Sequence, residues 1–210
     1  MKLIFDEFAR GTVSAIATLA ESREPSAAGH QRRVALISVA IAVELKLDAD
    51  AVDDVRLAGE LHDIGKIGFP SEILTQTRRL TLPEWELIKT HCQIGYGIIV
   101  GMNSGWRMAE MVLQHHERCD GSGYPAGLHG DEIVLGARII AVADTIEDEV
   151  SHAISGTEDA LEAALDKVQE GSGTLFDSHV VTACLRLFRE GRLSLLPEVL
   201  GDADDGRISG

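Results

Sequence analysis

The sequence predicts an all-α fold, because apolar residues recur at helical spacing, helix-starting residues precede several of these segments, and no convincing strand alternation is present. With 210 residues the chain is long enough for one well-packed domain and short for two. No internal repeat is found. We expect a helix or connector over 1–24, one domain over 25–200, and a disordered acidic tail over 201–210.

The first predicted helix covers residues 3–20 and is amphipathic. Its apolar stripe either covers the core, connects to a sensor domain, or forms a homodimer contact. Pro25, Ser26 and Gly29 then break the chain, and further helices are expected over 30–45 and 50–62.

A helix is expected to begin at Thr81, where Thr81, Pro83 and Glu84 combine a capping box with an early proline. Its apolar pattern continues through His91 to Ile99, so we expect one helix there.

The remaining helices are predicted over 106–116, 133–150, 158–168 and 178–189, the last two being capped by Thr157 and Asp177.

Composition excludes several classes of protein. A net charge of −15 argues against a broad nucleic-acid-binding surface, which needs clustered basic residues. No apolar run reaches the roughly 18 residues of a membrane span, and no signal-peptide pattern is present, so we expect a cytoplasmic protein. The three cysteines show no CxxC spacing, which favours neither a disulfide framework nor a zinc knuckle.

Two adjacent pairs of residues carry ligand chemistry. His115 and His116 end an apolar run and open into a loop rich in glycine, as a metal site with an open face requires. The alternative is a pair of capping or solvated histidines before an ordinary turn. A second pair, His62 and Asp63, lies upstream and favours the metal site. Lys66 follows between Gly65 and Gly68, in a position suited to contact a phosphate.

Further ligand-type residues occur on other predicted helices. His30 alone would more often be a capping residue, whereas Asp144 lies in an apolar run where an unpaired carboxylate is costly. The candidate ligands are His30, His62, Asp63, His91, His115, His116 and Asp144. Such a mixture is too large for one ion and suits two transition metals, such as iron or manganese. Asp63 is the candidate bridge, and a water between the ions would be activated for attack on phosphorus.

Two uninterrupted motifs, LHDIGK at 61–66 and HHERCDGSGYP at 115–125, resemble those of the HD superfamily of metal-dependent phosphohydrolases and its HD-GYP branch. The resemblance runs from about residue 24 to 188. It implies a single helical HD-type domain of about seven helices around a dinuclear metal site. It also implies that the seven candidate residues are metal ligands, with Asp63 bridging, and that Lys66 contacts the scissile phosphate and assists the leaving oxygen.

Members of this branch typically hydrolyse cyclic di-GMP. The resemblance therefore implies hydrolysis to linear pGpG, with GMP as a further product left open. It also gives the loop a role in shaping the site entrance and in contacts with partner proteins, including diguanylate cyclase domains. The loop residues concerned are Asp120, Gly121, Gly123, Tyr124 and Pro125.

The sequence departs from the family pattern at two places. Ser26 stands where some members have a glutamate for a third metal, so we expect two metals and no substitution by Glu24. A segment containing Arg-Pro-Tyr is absent after Asp144, and no basic residue other than histidine occurs before Lys167. Losing charge-assisted phosphate contacts would weaken substrate binding about tenfold to a hundredfold or more. This leaves two alternatives: another cyclic dinucleotide as substrate, or a slow or inactive sensing module acting through the loop.

Overall fold

The computed structural model describes residues 2–24, 27–102, 106–153 and 158–193, with the backbone alone for 2–10, 106 and 158. Within these ranges the regular structure is helical and contains no strand, which confirms the all-α prediction. The three cysteines are free. None of the helices in these ranges is long and apolar enough to cross a membrane. The positions of Ser26, Thr157 and the 201–210 tail lie outside the described residues.

The helices follow one another in the order α1 (Lys2–Glu21), α2 (His30–Glu44), α3 (Ala49–Leu61), α4 (Ser71–Leu74), α5 (Leu82–Lys89), α6 (His91–Gly101), α7 (Trp106–Gln114), α8 (Leu135–His152), α9 (Glu158–Glu170) and α10 (Ser178–Arg189). Short 3-10 turns occupy Ile64–Gly68 and Gly130–Glu132. The predicted caps at Thr81 and Asp177 are confirmed. Thr81 forms a capping box with Glu84, whose carboxylate accepts a hydrogen bond from the Thr81 amide at 2.8 Å. The Asp177 carboxylate accepts hydrogen bonds from the amides of His179 and Val180.

The expectation of one helix from Thr81 through His91 is wrong. The helix is interrupted at Thr90, whose hydroxyl donates a hydrogen bond to the carbonyl of Leu87 at 2.7 Å. Of these two helices, α5 buries no residue, whereas α6 begins with His91 fully inside the protein. The break lets α5 lie on the surface while α6 enters the core. Apolar spacing continues across Thr90, so the pattern gave no signal of the interruption.

The core is built around α8, which is buried on most of its surface. Several of its apolar residues, among them Ile139, Ile140 and Ile146, are completely enclosed. The helix packs against α2, α7 and α9, with α3 and α10 beside it. Asp144 therefore faces the interior from the middle of the most enclosed helix.

The first helix covers one side of this core, as one of the sequence interpretations expected. Ala17 and Ala20 of α1 are buried, and the helix packs against α2, α3 and the turn Ile64–Gly68. Leu19 points away from the core and is 60% exposed. The connector and homodimer interpretations stay predictions.

The turn Ile64–Gly68 lies directly against the start of α6. A Cβ atom at Gly65 would lie 1.9 Å from the carbonyl oxygen of His91 and 2.8 Å from the amide nitrogen of Gly95. Both neighbours are backbone atoms, which cannot rotate away as a side chain can. Only glycine permits this approach, which sets the segment containing His62 and Asp63 next to His91.

We expect Gly65→Ala to destabilise the protein by about 2 kcal/mol or more, because the added methyl group would overpack a rigid contact. Urea denaturation measures the change in the free energy of unfolding. Gly97→Ala in α6 is the matched control, since a Cβ atom there meets nothing within 4 Å. It should stabilise the protein by roughly 0.5–1 kcal/mol. An unfolding midpoint for Gly65→Ala equal to that of the unmodified protein would contradict the proposed close contact.

Candidate metal centre

All seven candidate ligands lie in a single cluster. Six of them lie at or next to the ends of helices, and one lies inside a helix. His30 is the first residue of α2, His62 and Asp63 follow α3, and His91 is the first residue of α6. His115 and His116 follow α7, and Asp144 lies within α8. All of these residues are buried except His116, which is half-buried.

The cluster consists of two groups joined by Asp63. In one group the ligand atoms of Asp63, His91, His115 and His116 lie within 4.8 Å of one another, and in the other those of His30, His62 and Asp144 do. The two oxygens of Asp63 face different groups: Oδ1 lies 3.3 Å from Nε2 of His91, and Oδ2 lies 3.6 Å from Nε2 of His62. A carboxylate in this position can contact a cation in either group.

Three of the histidines have their proton position fixed by the backbone. Nδ1 donates to a carbonyl oxygen three residues earlier in His62 (2.8 Å), His91 (2.8 Å) and His115 (2.7 Å). A carbonyl can only accept, so Nδ1 carries the hydrogen, and in the neutral ring the lone pair is on Nε2. These three Nε2 atoms face the centre of the cluster.

The inward-facing nitrogens come within hydrogen-bond distance of one another. Nε2 of His91 lies 3.2 Å from Nε2 of His115, and Nε2 of His30 lies 3.3 Å from Nε2 of His62. Oδ1 of Asp63 is buried and accepts no hydrogen bond. Converging lone pairs and a buried acceptor without a donor are costly unless a proton or a cation lies between them. The donor set therefore fits divalent metal ions.

Both carboxylates of the cluster are ionised at neutral pH. Burial favours the neutral acid, but the charge of Lys66, with that of His62, outweighs it and holds the pKa of Asp63 well below its usual range. Burial acts in the same way on Asp144, where hydrogen bonds from His30 and His62 hold the pKa well below its usual range. The cluster consequently contains two negative charges that require compensation.

The histidines divide into two electrostatic classes. Burial lowers the pKa of His91, and burial with the charge of neighbouring histidines lowers that of His115 well below its usual range. Burial also lowers the pKa of His116 to about 3. At His30 and His62 burial opposes protonation, but the nearby carboxylates outweigh it and raise both pKa values. Cations entering the cluster would replace protons at these two positions.

Lys66 lies beside the bridging carboxylate. Its Nζ is 2.6 Å from Oδ2 of Asp63 and 3.5 Å from Oε2 of Glu24. Burial disfavours the ammonium, but the charges of Asp63 and Glu24 outweigh it and raise the pKa of Lys66. Lys66 and Arg33 contribute positive charge to the wall of a cleft of about 170 Å³ that also reaches His30 and Asp148.

Glu147 is a site residue that sequence reasoning missed. It is 1% exposed, and its carboxylate contacts Nδ1 of His30 and accepts hydrogen bonds from Arg33 (Nε, 2.7 Å) and from the Ser151 hydroxyl. This contact turns Nε2 of His30 toward Asp144, 3.3 Å away. The available signal was its spacing: Glu147 lies three residues after Asp144 and therefore on the same face of α8.

Glu117 is a second missed residue, and it fixes the loop after α7. It is 2% exposed and accepts hydrogen bonds from the amides of Ala126 (2.7 Å) and Leu128 (3.0 Å). A Cβ atom at Gly123 would lie 2.4 Å from Cα of Glu117, so the loop folds tightly back onto the histidine segment.

The loop residues singled out from the sequence lie beside the cluster. The Tyr124 ring stacks on His116 with centroids 4.7 Å apart and 30° between the planes. Asp120 is exposed and accepts hydrogen bonds from the amide and hydroxyl of Ser122, while Gly121, Gly123 and Pro125 are half-buried. The role of this loop in partner contacts stays a prediction.

Comparisons with known proteins give a consistent family match. A family model described as HD domain matches residues 14–180. The cyclic di-GMP phosphodiesterase of Thermotoga maritima is 38% identical over 89% of this chain and 51% of its own length. RpfG of Xanthomonas campestris, a cyclic di-GMP phosphodiesterase response regulator, is 36% identical over 86% of this chain and 48% of its own. The 3′3′-cGAMP-specific phosphodiesterase 3 of Vibrio cholerae is 32% identical over 92% of this chain and 41% of its own length.

Solved structures support the same fold. A cyclic GMP-AMP-specific phosphodiesterase of V. cholerae superposes with a TM-score of 0.70 at 18% identity, over 90% of this chain and 50% of that one. The PgpH HD domain of L. monocytogenes, in complex with cyclic di-AMP, superposes with a TM-score of 0.63 at 17% identity, over 93% of this chain and 100% of that one. The chain spans about half the length of the sequence relatives that it matches.

We expect Glu147→Ala to weaken divalent-metal affinity about tenfold to a hundredfold, because His30 would lose the acceptor that orients it. Titration of the metal-free protein with Mn(II) against an indicator dye measures this affinity. Glu149→Ala is the matched control: Glu149 lies on the same helix, and its exposed side chain pairs with Lys167. Unchanged affinity in a folded Glu147→Ala protein would show that His30 needs no such support.

Proposed function

Because the chain belongs to the HD domain family, we propose that it is a metal-dependent phosphodiesterase that hydrolyses cyclic di-GMP to linear pGpG. The observation that carries the proposal is the buried cluster of imidazole and carboxylate donors, with lone pairs that converge and one Asp63 oxygen without a hydrogen bond. Two relatives support the substrate, since both are named as cyclic di-GMP phosphodiesterases. Whether GMP follows as a second product is left to product analysis.

The two groups of the cluster suggest how two ions, iron or manganese, would be held. His30, His62 and Asp144 would bind one ion, and His91, His115 and His116 the other, with Asp63 shared. Bound ions would supply Lewis acidity toward phosphoryl oxygens and activate water. Imidazole with carboxylate is a donor mixture that iron and manganese accept.

Lys66 is the residue that we assign to the substrate phosphate. Its ammonium stays protonated beside Asp63 and is oriented by Asp63 and Glu24 at the wall of the cleft. A phosphodiester entering the cleft could replace Glu24 as its partner, since that contact is the longer one. Lys66 would then offer a proton to the oxygen that leaves when the phosphodiester bond breaks.

The segment after Asp144 gives little help with phosphate binding. Arg33 reaches the cleft, but its guanidinium already pairs with Glu147 and donates to the carbonyl of Ala28. Asp148 borders the cleft with its side chain 53% exposed, and its charge would repel phosphate. We therefore expect weaker substrate binding than a site with additional arginines would give.

A second candidate function keeps the metal chemistry and changes the substrate. Relatives named as 3′3′-cGAMP-specific phosphodiesterases favour another cyclic dinucleotide. The acidic segment also favours a slow or inactive sensing module, which would act through the loop containing Tyr124 on a partner such as a diguanylate cyclase domain. A homodimer through α1 would be compatible with either.

We expect anaerobically purified protein to contain about two iron or manganese ions per chain and to convert cyclic di-GMP to the linear dinucleotide. Asp63→Ala should lose both metal and turnover, because it removes the shared carboxylate. Metal analysis and chromatography of products measure the two effects. Two bound ions without turnover of any cyclic dinucleotide would contradict the enzyme and favour the sensing module. Full activity in Asp63→Ala would refute the assigned centre.

We expect Lys66→Met to lower kcat about a hundredfold or more while metal content stays near that of the unmodified protein, because the change removes a proton donor and spares the ligands. Lys167→Met is the control, since this lysine pairs with Glu149 at the surface. Steady-state kinetics with metal analysis of the same samples separates the two effects. A kcat within about twofold of the unmodified value would remove Lys66 from the mechanism.

A further inference from the structure

We propose that Trp85 and Lys89 of α5, with Tyr124, form a binding site for a guanine base of the substrate. The proposal rests on the proposed function, because it concerns recognition of a cyclic dinucleotide at the same centre. It goes beyond that function by assigning residues to the base, whereas the metal ligands and Lys66 are assigned to the phosphate.

A continuous series of rings leads from the candidate metal centre to the surface. Tyr124 stacks on the candidate ligand His116, and Trp85 meets Tyr124 edge to face with centroids 6.3 Å apart and planes at 79°. Trp85 is 41% exposed, and its helix buries no residue. Part of its indole surface is therefore available to a ligand that has its phosphate at the metal centre.

A cation lies over both of these rings. Nζ of Lys89 is 5.8 Å from the centroid of Trp85 and 5.5 Å from that of Tyr124. Its other partner is Glu86, at 2.7 Å, whose side chain is 65% exposed. An exposed ion pair of this kind contributes little to stability, so Lys89 can exchange Glu86 for an acceptor on a ligand.

The chemistry of this surface selects guanine. Nucleobases stack on aromatic side chains, and this stacking tolerates any base. Guanine presents two acceptors, N7 and O6, along one edge, whereas adenine presents the N6 amino group in place of O6. An ammonium has donors alone, so Lys89 matches the guanine edge and meets a competing donor on adenine.

The position of the surface also fits a cyclic dinucleotide. Each base of such a ligand is joined through one ribose to the phosphates, so a base site must lie next to the phosphate site. Trp85 is separated from the candidate ligand His116 by the single ring of Tyr124. Stacking there would supply substrate affinity that the acidic segment after Asp144 does not supply through phosphate contacts.

Calorimetric titration of the Mn(II)-loaded protein with GMP and with AMP tests this site, since neither nucleotide contains a phosphodiester to be hydrolysed. We expect GMP to bind more tightly than AMP. Trp85→Ala should weaken binding of both nucleotides about tenfold or more, and Trp85→Phe should retain most of the affinity because it keeps a ring. Lys89→Met should remove the preference for GMP. Leu82→Ala, at an 80% exposed position of the same helix, is the matched control.

Hydrolysis of bis(p-nitrophenyl) phosphate by the same protein samples reports on the phosphodiesterase centre without any base. Failure of the unmodified protein to hydrolyse this diester or cyclic di-GMP would refute the proposed function, and the nucleotide titrations would still decide the base site. Hydrolysis together with unmodified GMP affinity in Trp85→Ala would overturn the base site alone. A Lys89→Met protein that still prefers GMP would overturn the role of Lys89. A purely structural role for Trp85 would lower stability without changing nucleotide affinity.

Discussion

The rest of the structure depends on one electrostatic constraint: lone pairs of buried imidazoles and carboxylates point at a common centre from separate elements of the chain. Each contributing helix must therefore end at the centre, or pass beside it, at a point where its donor side chain faces inward. The backbone enforces this for His62, His91 and His115, because a carbonyl three residues earlier takes the Nδ1 hydrogen of each. Such groups repel one another unless positive charge lies between them, so the fold holds an arrangement that apolar packing alone would not favour. The buried core around α8 supplies the rigidity that keeps it.

Much of this arrangement could be predicted from the sequence, because the donors occur in short motifs whose residue types indicate metal binding without knowledge of the fold. The grouping of His62 with Asp63, and of His115 with His116, needed only adjacency. What could not be predicted depends on the direction in which elements point. The break at Thr90 leaves the apolar spacing intact, so nothing in the pattern separates α5 from α6. Glu147 and Glu117 were missed for a related reason: a glutamate is usually solvated, and its burial depends on partners such as Arg33 and the amide of Ala126, which are distant in sequence.

The acidic segment of α8 has two opposite effects on the site. Glu147 points inward, where it orients His30 and is neutralised by the guanidinium of Arg33. Asp148 points toward the cleft, where its charge opposes an anionic ligand. The same helix thus strengthens the metal side of the centre and weakens its phosphate side. Because Arg33 is engaged with Glu147, the positive charge closest to an incoming phosphate is that of Lys66 and of any bound cations. Recognition must then draw on groups away from the phosphate, which gives the aromatic surface beside His116 its importance.

Protons and metal ions are two alternative ways to balance the negative charge of the carboxylates in this centre. Without metal, the raised pKa values of His30 and His62 let these rings hold protons against Asp63, Asp144 and Glu147. A histidine with a raised folded-state pKa stabilises the protein fully below its unfolded pKa of about 6.5, and that contribution is lost as pH rises through the folded value. The carboxylates, with depressed pKa values, contribute above their unfolded pKa and stop contributing as pH falls through the folded values. Bound divalent cations would maintain this stabilisation at high pH, because they displace the protons and their own charge does not titrate. At higher pH the stability of the fold therefore depends increasingly on bound metal. Below about pH 6.5 the lowered pKa values of His91, His115 and His116 oppose folding, because the unfolded chain binds protons there that these buried rings do not.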